Sequence, residues 1–311
     1  AAMGHVRYGT YGSGSLTNAQ PLLVEISGRQ VAIAHNGTLS NASVLKNELT
    51  KLGAIFQTNS DTEIILHLMA HQMESTGYDV RHALELALAR LEGAFCLLVM
   101  VPEGVYAVRD PLGFRPLSLG ALNGSWLVAS ETCALDLVGA QYVRDLEAGE
   151  IVFIDRNGLR SLKPHPTERT AFCIFEFIYF ARPDSSIFGR NVYQVRKRLG
   201  RQLAREYQPE ADLVMPFPDS GNYAAIGFAE ASGIPFEMGV IRNHYVGRTF
   251  IQPSQTMRDF KVRVKLNPVR EVLEGKRVII IEDSIIRGTT SRARVQAVRN
   301  AGAKEVHMLV S

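Results

Sequence analysis

VIIIEDSIIRGTTSRARV, residues 278–295, limits the possible folds more than any other stretch of the chain. Val278 to Ile281 form an unbroken β-branched run, as expected for a strand buried on both faces of a parallel sheet. Such a strand delivers the residues after it to the carboxyl edge of the sheet, where open α/β sheets bind ligands. Gly288, Thr289, Thr290 and Ser291 then read as a turn opening onto a helix N-terminus, whose backbone N–H groups suit an anion. Glu282 and Asp283 repel an anion, so they face another part of the ligand, such as neutral hydroxyls or a metal ion. A sugar phosphate satisfies both halves. A strand, a polar turn and a capped helix with no ligand would explain the pieces singly but not the whole string.

The surroundings agree. From about 192 the pattern runs helix to 207, strand ADLVMPF (211–217), helix around 221–232, strands FEMGVIR (236–242) and KRVIIIED (276–283), helix from 289 and strand EVHMLVS (305–311). This alternation predicts a doubly wound α/β sheet. The first half instead mixes strands (30–36, 93–101, 125–130) with helices near 40–52, 60–74 and 80–92, an α+β order. Polar residues and two prolines in LKPHPTERT (162–170) mark the seam, which divides the chain into domains 1–167 and 168–311.

With 34 Lys and Arg against 31 Asp and Glu, the net charge is +3 and the basic residues are dispersed, which gives no support to nucleic-acid binding. VRKRLGRQLAR (195–205) is the one concentration. There Val192, Val195, Leu199 and Leu203 form an apolar stripe at helical spacing, which predicts the arginines on a solvated face. No apolar run reaches the length of a membrane span, and FCLLVMV (95–101) reads as a core strand. Cys96, Cys133 and Cys173 are too few and too widely spaced for a disulfide framework or a zinc site. A soluble protein of the reducing cytoplasm, without a membrane partner, is the expectation.

Three strings in the first half are each weak alone: GHVRYGT (4–10), AHNGTL (34–39) and TNSDTE (58–63). His-Asn-Gly after a strand reads on its own as a turn. Ser60 and Glu63 fit a helix capping box. Together they supply a fork for an α-carboxylate in Arg7 and a partner for an α-ammonium in Asp61. Asn36 with the Gly37 N–H adds donors for an oxyanion. That set suits an amino-acid amide. No cysteine in the chain lies in a string that suggests an activated nucleophile.

HVRYGT, AHNGTL, QTNSDTE, ASETCALD, FARPDS, HYVGRTFIQPSQ and IEDSIIRGTTS follow in the order found in glutamine phosphoribosylpyrophosphate amidotransferases, which the chain resembles along essentially its whole length. The resemblance implies an N-terminal-nucleophile glutaminase domain, a four-layer αββα sandwich here truncated, followed by a type I phosphoribosyltransferase domain. Arg7, Thr10 and Asp61 would hold glutamine, and Asn36 with Gly37 would form the oxyanion hole. Glu282 and Asp283 would bind ribose hydroxyls and Mg²⁺, with Ser220 of FPDSGN near the metal. Ser284, Arg287, Gly288, Thr289 and Thr290 would wrap the 5-phosphate, while Tyr245 and Arg248 would belong to a loop over the pyrophosphate. Without the resemblance, PDSGN is a strand-to-helix turn with a cap.

Two departures stand out. The family nucleophile is a cysteine at the mature N-terminus, upstream of HVRY, where this sequence begins at Ala1, so the expectation is an internal fragment lacking glutaminase chemistry. The family usually carries Asp-Asp where Glu282 and Asp283 stand. Some members hold a [4Fe-4S] cluster whose first cysteine sits at the place of Cys173, and others keep a cysteine there without a cluster, which leaves Cys173 open between ligand and buried bystander. The implied activity is amidophosphoribosyltransferase, with purine-nucleotide feedback and a homo-oligomer. The rivals are a non-catalytic regulator that binds phosphoribosyl pyrophosphate and another glutamine amidotransferase such as an amino-sugar synthase. The Arg7, Asn36 and Asp61 set argues against the first; IEDSIIRGTTS argues against the second.

Overall fold

The computed structural model describes residues 1–7, 15–162, 169–243, 266–286 and 288–311. The chain divides into two compact units, Ala1–Cys173 with Ser186–Phe188, and Ile174–Ser185 with Gly189–Ser311. The polar seam at 162–170 falls just before that division.

In the first unit, β1 (Leu22–Ile26), β2 (Arg29–Leu39), β3 (Gly93–Val101), β4 (Gly104–Arg109), β8 (Ile151–Asp155) and β9 (Gly158–Leu162) form one antiparallel sheet in the order β1-β2-β3-β4-β8-β9. A smaller sheet has the order β6-β5-β7, from β5 (Ser118–Leu122), β6 (Ser125–Ala129) and β7 (Gln141–Asp145). Both faces of the central strands of the large sheet are covered, as the period-two alternation of β3 shows. Phe95, Leu97, Val99 and Val101 of β3 pack with α1 (Ala42–Lys51), α2 (Thr62–Met73) and α3 (Val80–Leu88). Cys96 of the same strand, with Ala107 and Val152 of its neighbours, packs instead against Leu119 of β5. Gly120, the next residue of β5, turns to the opposite face, where an added Cβ would come within 2.8 Å of Leu135 of α4 (Thr132–Leu137). The succession is therefore helices, sheet, sheet, helix.

An ion pair with a buried carboxylate ties β7 to the start of β8. Arg144 donates to both oxygens of Glu150 at 2.8 and 2.7 Å, and Ser161 Oγ and the Glu147 N–H add donors at 2.5 and 2.7 Å. Burial pushes the Glu150 carboxyl up, but the Arg144 and Ser161 donors outweigh it and hold the group at about 2 against an ordinary 4.5. A depressed folded-state pKa stabilises the fold above the ordinary value, and that contribution is lost as the pH falls toward the folded value. It amounts to about 3 kcal/mol at most. In denaturant titrations of the protein and its Glu150→Gln variant, the stability gap is expected to be full at pH 6 and to fall to about a quarter of that at pH 2.5. A gap independent of pH would contradict this.

In the second unit, β10 (Leu213–Pro216), β13 (Arg277–Glu282) and β14 (Glu305–Val310) form a parallel sheet with β13 in the middle. Val278, Ile279, Ile280 and Ile281 are fully buried, as their β-branched run predicts. Val278 and Ile280 face α7 (Arg270–Leu273) and α8 (Thr289–Asn300); Ile279 and Ile281 face α5 (Val192–Glu206) and α6 (Asn222–Ser232). FEMGVIR is not the single strand expected. Phe236 makes an isolated parallel bridge to Val214, while β11 (Val240–Arg242) pairs antiparallel with β12 (Leu266–Pro268) in a separate ribbon.

The stripe on α5 also differs from the sequence reading. Its buried residues are Val192, Arg196, Gly200 and Ala204, and Val195, Leu199 and Leu203 are only partly covered. Arg196 is thus not on the solvated face: its guanidinium donates to the Phe177 and Ala181 carbonyls at 2.7 and 2.9 Å. The first of those carbonyls lies within the π-helical turn Glu176–Phe180 and the second just after it. The burial follows α6, which approaches so closely that a Cβ on Gly200 would lie 1.8 Å from the Ala224 carbonyl oxygen. A Cβ on Gly227 would likewise lie 2.0 Å from that of Lys197.

Candidate active site

Asn36 and Gly37 lie inside β2, opposite Cys96 and Phe95 of β3, and not in a turn after the strand. The chain stays extended through Asn-Gly because the ladder to β3 continues to Leu39. Along β2 the side chains alternate, so His35, Gly37 and Leu39 point toward the helix layer and Asn36 toward the second sheet. Asn36 Nδ2 donates to Ser130 Oγ at 3.4 Å, just after β6. Gly37 is required by close approach: a Cβ there would lie 2.0 Å from the Ala94 carbonyl oxygen and 2.8 Å from His35 Nε2.

Asp61 stands immediately before α2 and is 4% exposed. Its Oδ2 accepts the Leu39 N–H at 3.0 Å and its Oδ1 lies 3.6 Å from His35 Nδ1. Burial alone would raise this carboxyl; the His35 imidazole and the Leu39 N–H outweigh it and hold the pKa below the ordinary value. Arg7 is half-buried on the extended stretch before residue 8. The neighbouring His5 is held below its ordinary pKa by burial, with the charges of His35 and Arg7 adding to the effect and the His35 backbone opposing it. Thr10 lies outside the described residues.

The expected capping box is not formed. Glu63 accepts the N–H groups of Gln57 and Thr58 at 2.8 and 2.7 Å, while Ser60 N–H goes to Thr58 Oγ1. Glu63 thereby closes the loop before the helix, and Ser60 Oγ accepts from Thr62 N at 3.3 Å. The polar side chains of this loop are joined to Asn18 and Gln20, which bond Asn59 and Thr62. Cys96, the cross-strand neighbour of Asn36, is buried between the sheets with its thiol directed at the Pro116 and Arg115 carbonyls, 3.6 and 3.7 Å away. Cys133 is in α4.

In the second unit the sheet edge has the predicted form. Glu282 ends β13, Asp283 and Ser284 follow, and Gly288 takes the left-handed conformation (φ 71°) one residue before α8 begins at Thr289. A glycine reaches that conformation without steric cost, and it leaves the first N–H groups of α8 unsatisfied by any side-chain cap. Ser284 Oγ donates to Asp283 Oδ1 at 2.5 Å. Glu282 already has a partner: Arg294, on the second turn of α8, donates to its Oε2 at 2.9 Å. The Arg294 guanidinium also lies 5.2 Å from the Phe217 ring centre. Burial pushes Glu282 up to about 6 against the pull of Arg294, and the charge of Asp283 adds to the rise. Ser220 is half-buried before α6, but the helix is capped at Gly221 with no side-chain hydrogen bond, so PDSGN turns without the expected cap. Arg287, Tyr245 and Arg248 lie outside the described residues, and Thr290 is described only by its place in α8.

His35, Arg294 and Arg196 were not singled out from sequence. His35 precedes Asn36 in AHNGTL, so its place on the reverse face was readable from strand alternation once β2 was known to run through Gly37. Arg294 carried no signal beyond helical spacing from the turn.

Residues 8–137 match the glutamine amidotransferase domain family. The whole chain is 49% identical to the amidophosphoribosyltransferase of Bacillus subtilis, spanning 65% of that protein's length. It is 47% identical to the amidophosphoribosyltransferase of Archaeoglobus fulgidus, spanning 68% of it. A solved structure, glutamine phosphoribosylpyrophosphate amidotransferase from B. subtilis complexed with ADP and GMP, superposes with a TM-score of 0.89 at 48% identity, over 98% of this chain and 66% of the other. The chain accordingly belongs to the amidophosphoribosyltransferase family, with a truncated N-terminal-nucleophile glutaminase domain of αββα layering followed by a phosphoribosyltransferase domain.

Proposed function

We propose that the full-length protein is an amidophosphoribosyltransferase that converts glutamine, phosphoribosyl pyrophosphate and water to phosphoribosylamine, glutamate and pyrophosphate. One observation carries this reading. A strand presenting Asn36 and the Gly37 N–H beside a buried Asp61 and a sheet edge joining Asp283 to a glycine-led helix N-terminus occur on one chain. In the first unit Arg7, Thr10 and Asp61 hold the ends of glutamine, and Asn36 with Gly37 donates to the oxygen that becomes negative as the amide is attacked. In the second unit the N–H groups from Gly288 to Thr290, with Ser284 and Arg287, hold the 5-phosphate. Asp283 and Glu282 accept from ribose hydroxyls, and Tyr245 and Arg248 serve the pyrophosphate.

Two adjacent carboxylates at a strand end are hard oxygen donors that fit Mg²⁺, a cation that keeps waters and substrate oxygens in its shell, with Ser220 as a neighbouring hydroxyl. Mg²⁺, when bound, neutralises charge on the departing pyrophosphate. Cys173 is a free, half-buried thiol that stands where some family members hold the first cysteine of an iron-sulfur cluster, and no step is assigned to a cluster there. Purine nucleotides are the proposed feedback inhibitors, in keeping with the ADP and GMP of the B. subtilis structure, and the assembly is a homo-oligomer. No helix among the described residues is long and apolar enough to cross a membrane, and three free cysteines fit a reducing compartment such as the cytoplasm.

The test is to supply the full-length protein with phosphoribosyl pyrophosphate and Mg²⁺ and either glutamine or ammonium chloride. Pyrophosphate release with both donors, and stoichiometric glutamate with the first, is the expected result. Failure to release pyrophosphate with ammonia at any concentration would overturn the reading in favour of a binding protein.

A further inference from the structure

A glycine N–H is a poor foundation for an oxyanion hole unless something holds the peptide still, since glycine has the freest backbone of any residue. The structure shows what holds this one. On the helix-facing side of β2, the His35 ring occupies the space a Gly37 side chain would fill, with Nε2 2.8 Å from that position. The other wall is the Ala94 carbonyl, 2.0 Å from the same point. One carboxylate also braces the strand on either side of Asn36 and Gly37: Asp61 Oδ2 accepts from Leu39 N, and Oδ1 faces His35 Nδ1 at 3.6 Å. The His35 backbone is pinned in turn, its N–H donated to Gln20 Oε1 at 2.6 Å, while Thr62 Oγ1 lies 3.4 Å from Nδ1. His35 is 4% exposed, and among the described residues its Nε2 has no hydrogen-bond partner. A buried imidazole nitrogen left unpaired is costly, and such exceptions call for an explanation. Wedging the ring beneath Gly37 is one.

We propose that His35 is a positioning residue for glutamine hydrolysis, which with Asp61 fixes the Asn36–Gly37 segment from behind so that its donors are already aimed when charge develops. The inference rests on the glutaminase reading of the first unit. His35 is not itself an oxyanion donor: it lies on the opposite side of β2 from the Asn36 carboxamide. Preorganisation lowers the barrier to reaction without strengthening ground-state binding, so its loss appears in kcat and not in KM.

Two substitutions in the full-length protein separate the two contacts. His35→Leu keeps most of the bulk under Gly37 but offers nothing to Asp61, and His35→Asn keeps a donor near the Nδ1 position with less bulk. Both are expected to lower kcat for glutamate release about tenfold, with KM for glutamine within about threefold. Ammonia-dependent pyrophosphate release is expected to stay at the level of the unsubstituted protein. Should one variant fail to fold, the other carries the test. A folded variant whose kcat stays within about twofold, or whose loss lies wholly in KM, overturns the proposal alone. Absence of glutamate release by the unsubstituted protein, with ammonia-dependent release intact, overturns the glutaminase reading and this proposal with it.

Discussion

Replacing Asn36 with alanine in the full-length protein is expected to lower kcat for glutamine hydrolysis by about 10²-fold or more while KM for glutamine hardly moves. The carboxamide projects from an extended strand toward the second sheet and spends its Nδ2 on a long 3.4 Å bond to Ser130 Oγ. It is therefore free to tighten onto an oxygen that becomes an anion only in the transition state. Truncation removes that donor and leaves the strand intact, since β2 and β3 are joined through the backbone. Steady-state glutamate release across a glutamine titration is the measurement. A rise in KM with kcat unchanged would make Asn36 a ground-state ligand.

Asp283→Asn is expected to reduce phosphoribosyl transfer from ammonia by about 10²-fold and to spare glutamate release. Glu282 is already engaged by Arg294, which leaves Asp283 as the carboxylate at this edge whose only side-chain donor among the described residues is the hydroxyl of Ser284. An amide of the same shape keeps one acceptor oxygen but loses the charge that draws hydroxyl donors or a cation. Pyrophosphate release with ammonium chloride, at saturating phosphoribosyl pyrophosphate, reads the effect. An unchanged rate would remove Asp283 from the reaction.

The second unit was legible where sequence carried a full period of structure. Val278 to Ile281 announced a strand buried on both faces, and Gly288 announced the helix start, because each conclusion rests on local chemistry. Long-range pairing erased other local signals. Asn36 and Gly37 have the composition of a turn, yet the ladder to β3 keeps them extended; Glu63 has capping-box spacing, yet the loop at Gln57 and Thr58 takes its carboxylate. Arg196 looked solvated because apolar neighbours at helical spacing suggested a stripe centred one residue away. Its burial depends on the carbonyls of Phe177 and Ala181, which no periodicity reveals. The roles of Arg7, Asp61 and Glu282 were argued from side-chain chemistry and sharpened by family resemblance, whereas the buried partners of Asp61 and Glu282 became visible only in three dimensions.

The reciprocal glycines of α5 and α6 bear on how the second unit can move. Gly200 meets the carbonyl of Ala224 and Gly227 that of Lys197, so main chain meets main chain at both contacts. Domains that change shape by shear do so through small sliding of packed helices whose side chains readjust. Here there is no side chain to readjust at the two closest points, and a slide along either axis would drive a Cα into a carbonyl oxygen. These two contacts oppose shear between the helices. The turn at 218–221 therefore leads into a helix that its neighbour holds against sliding.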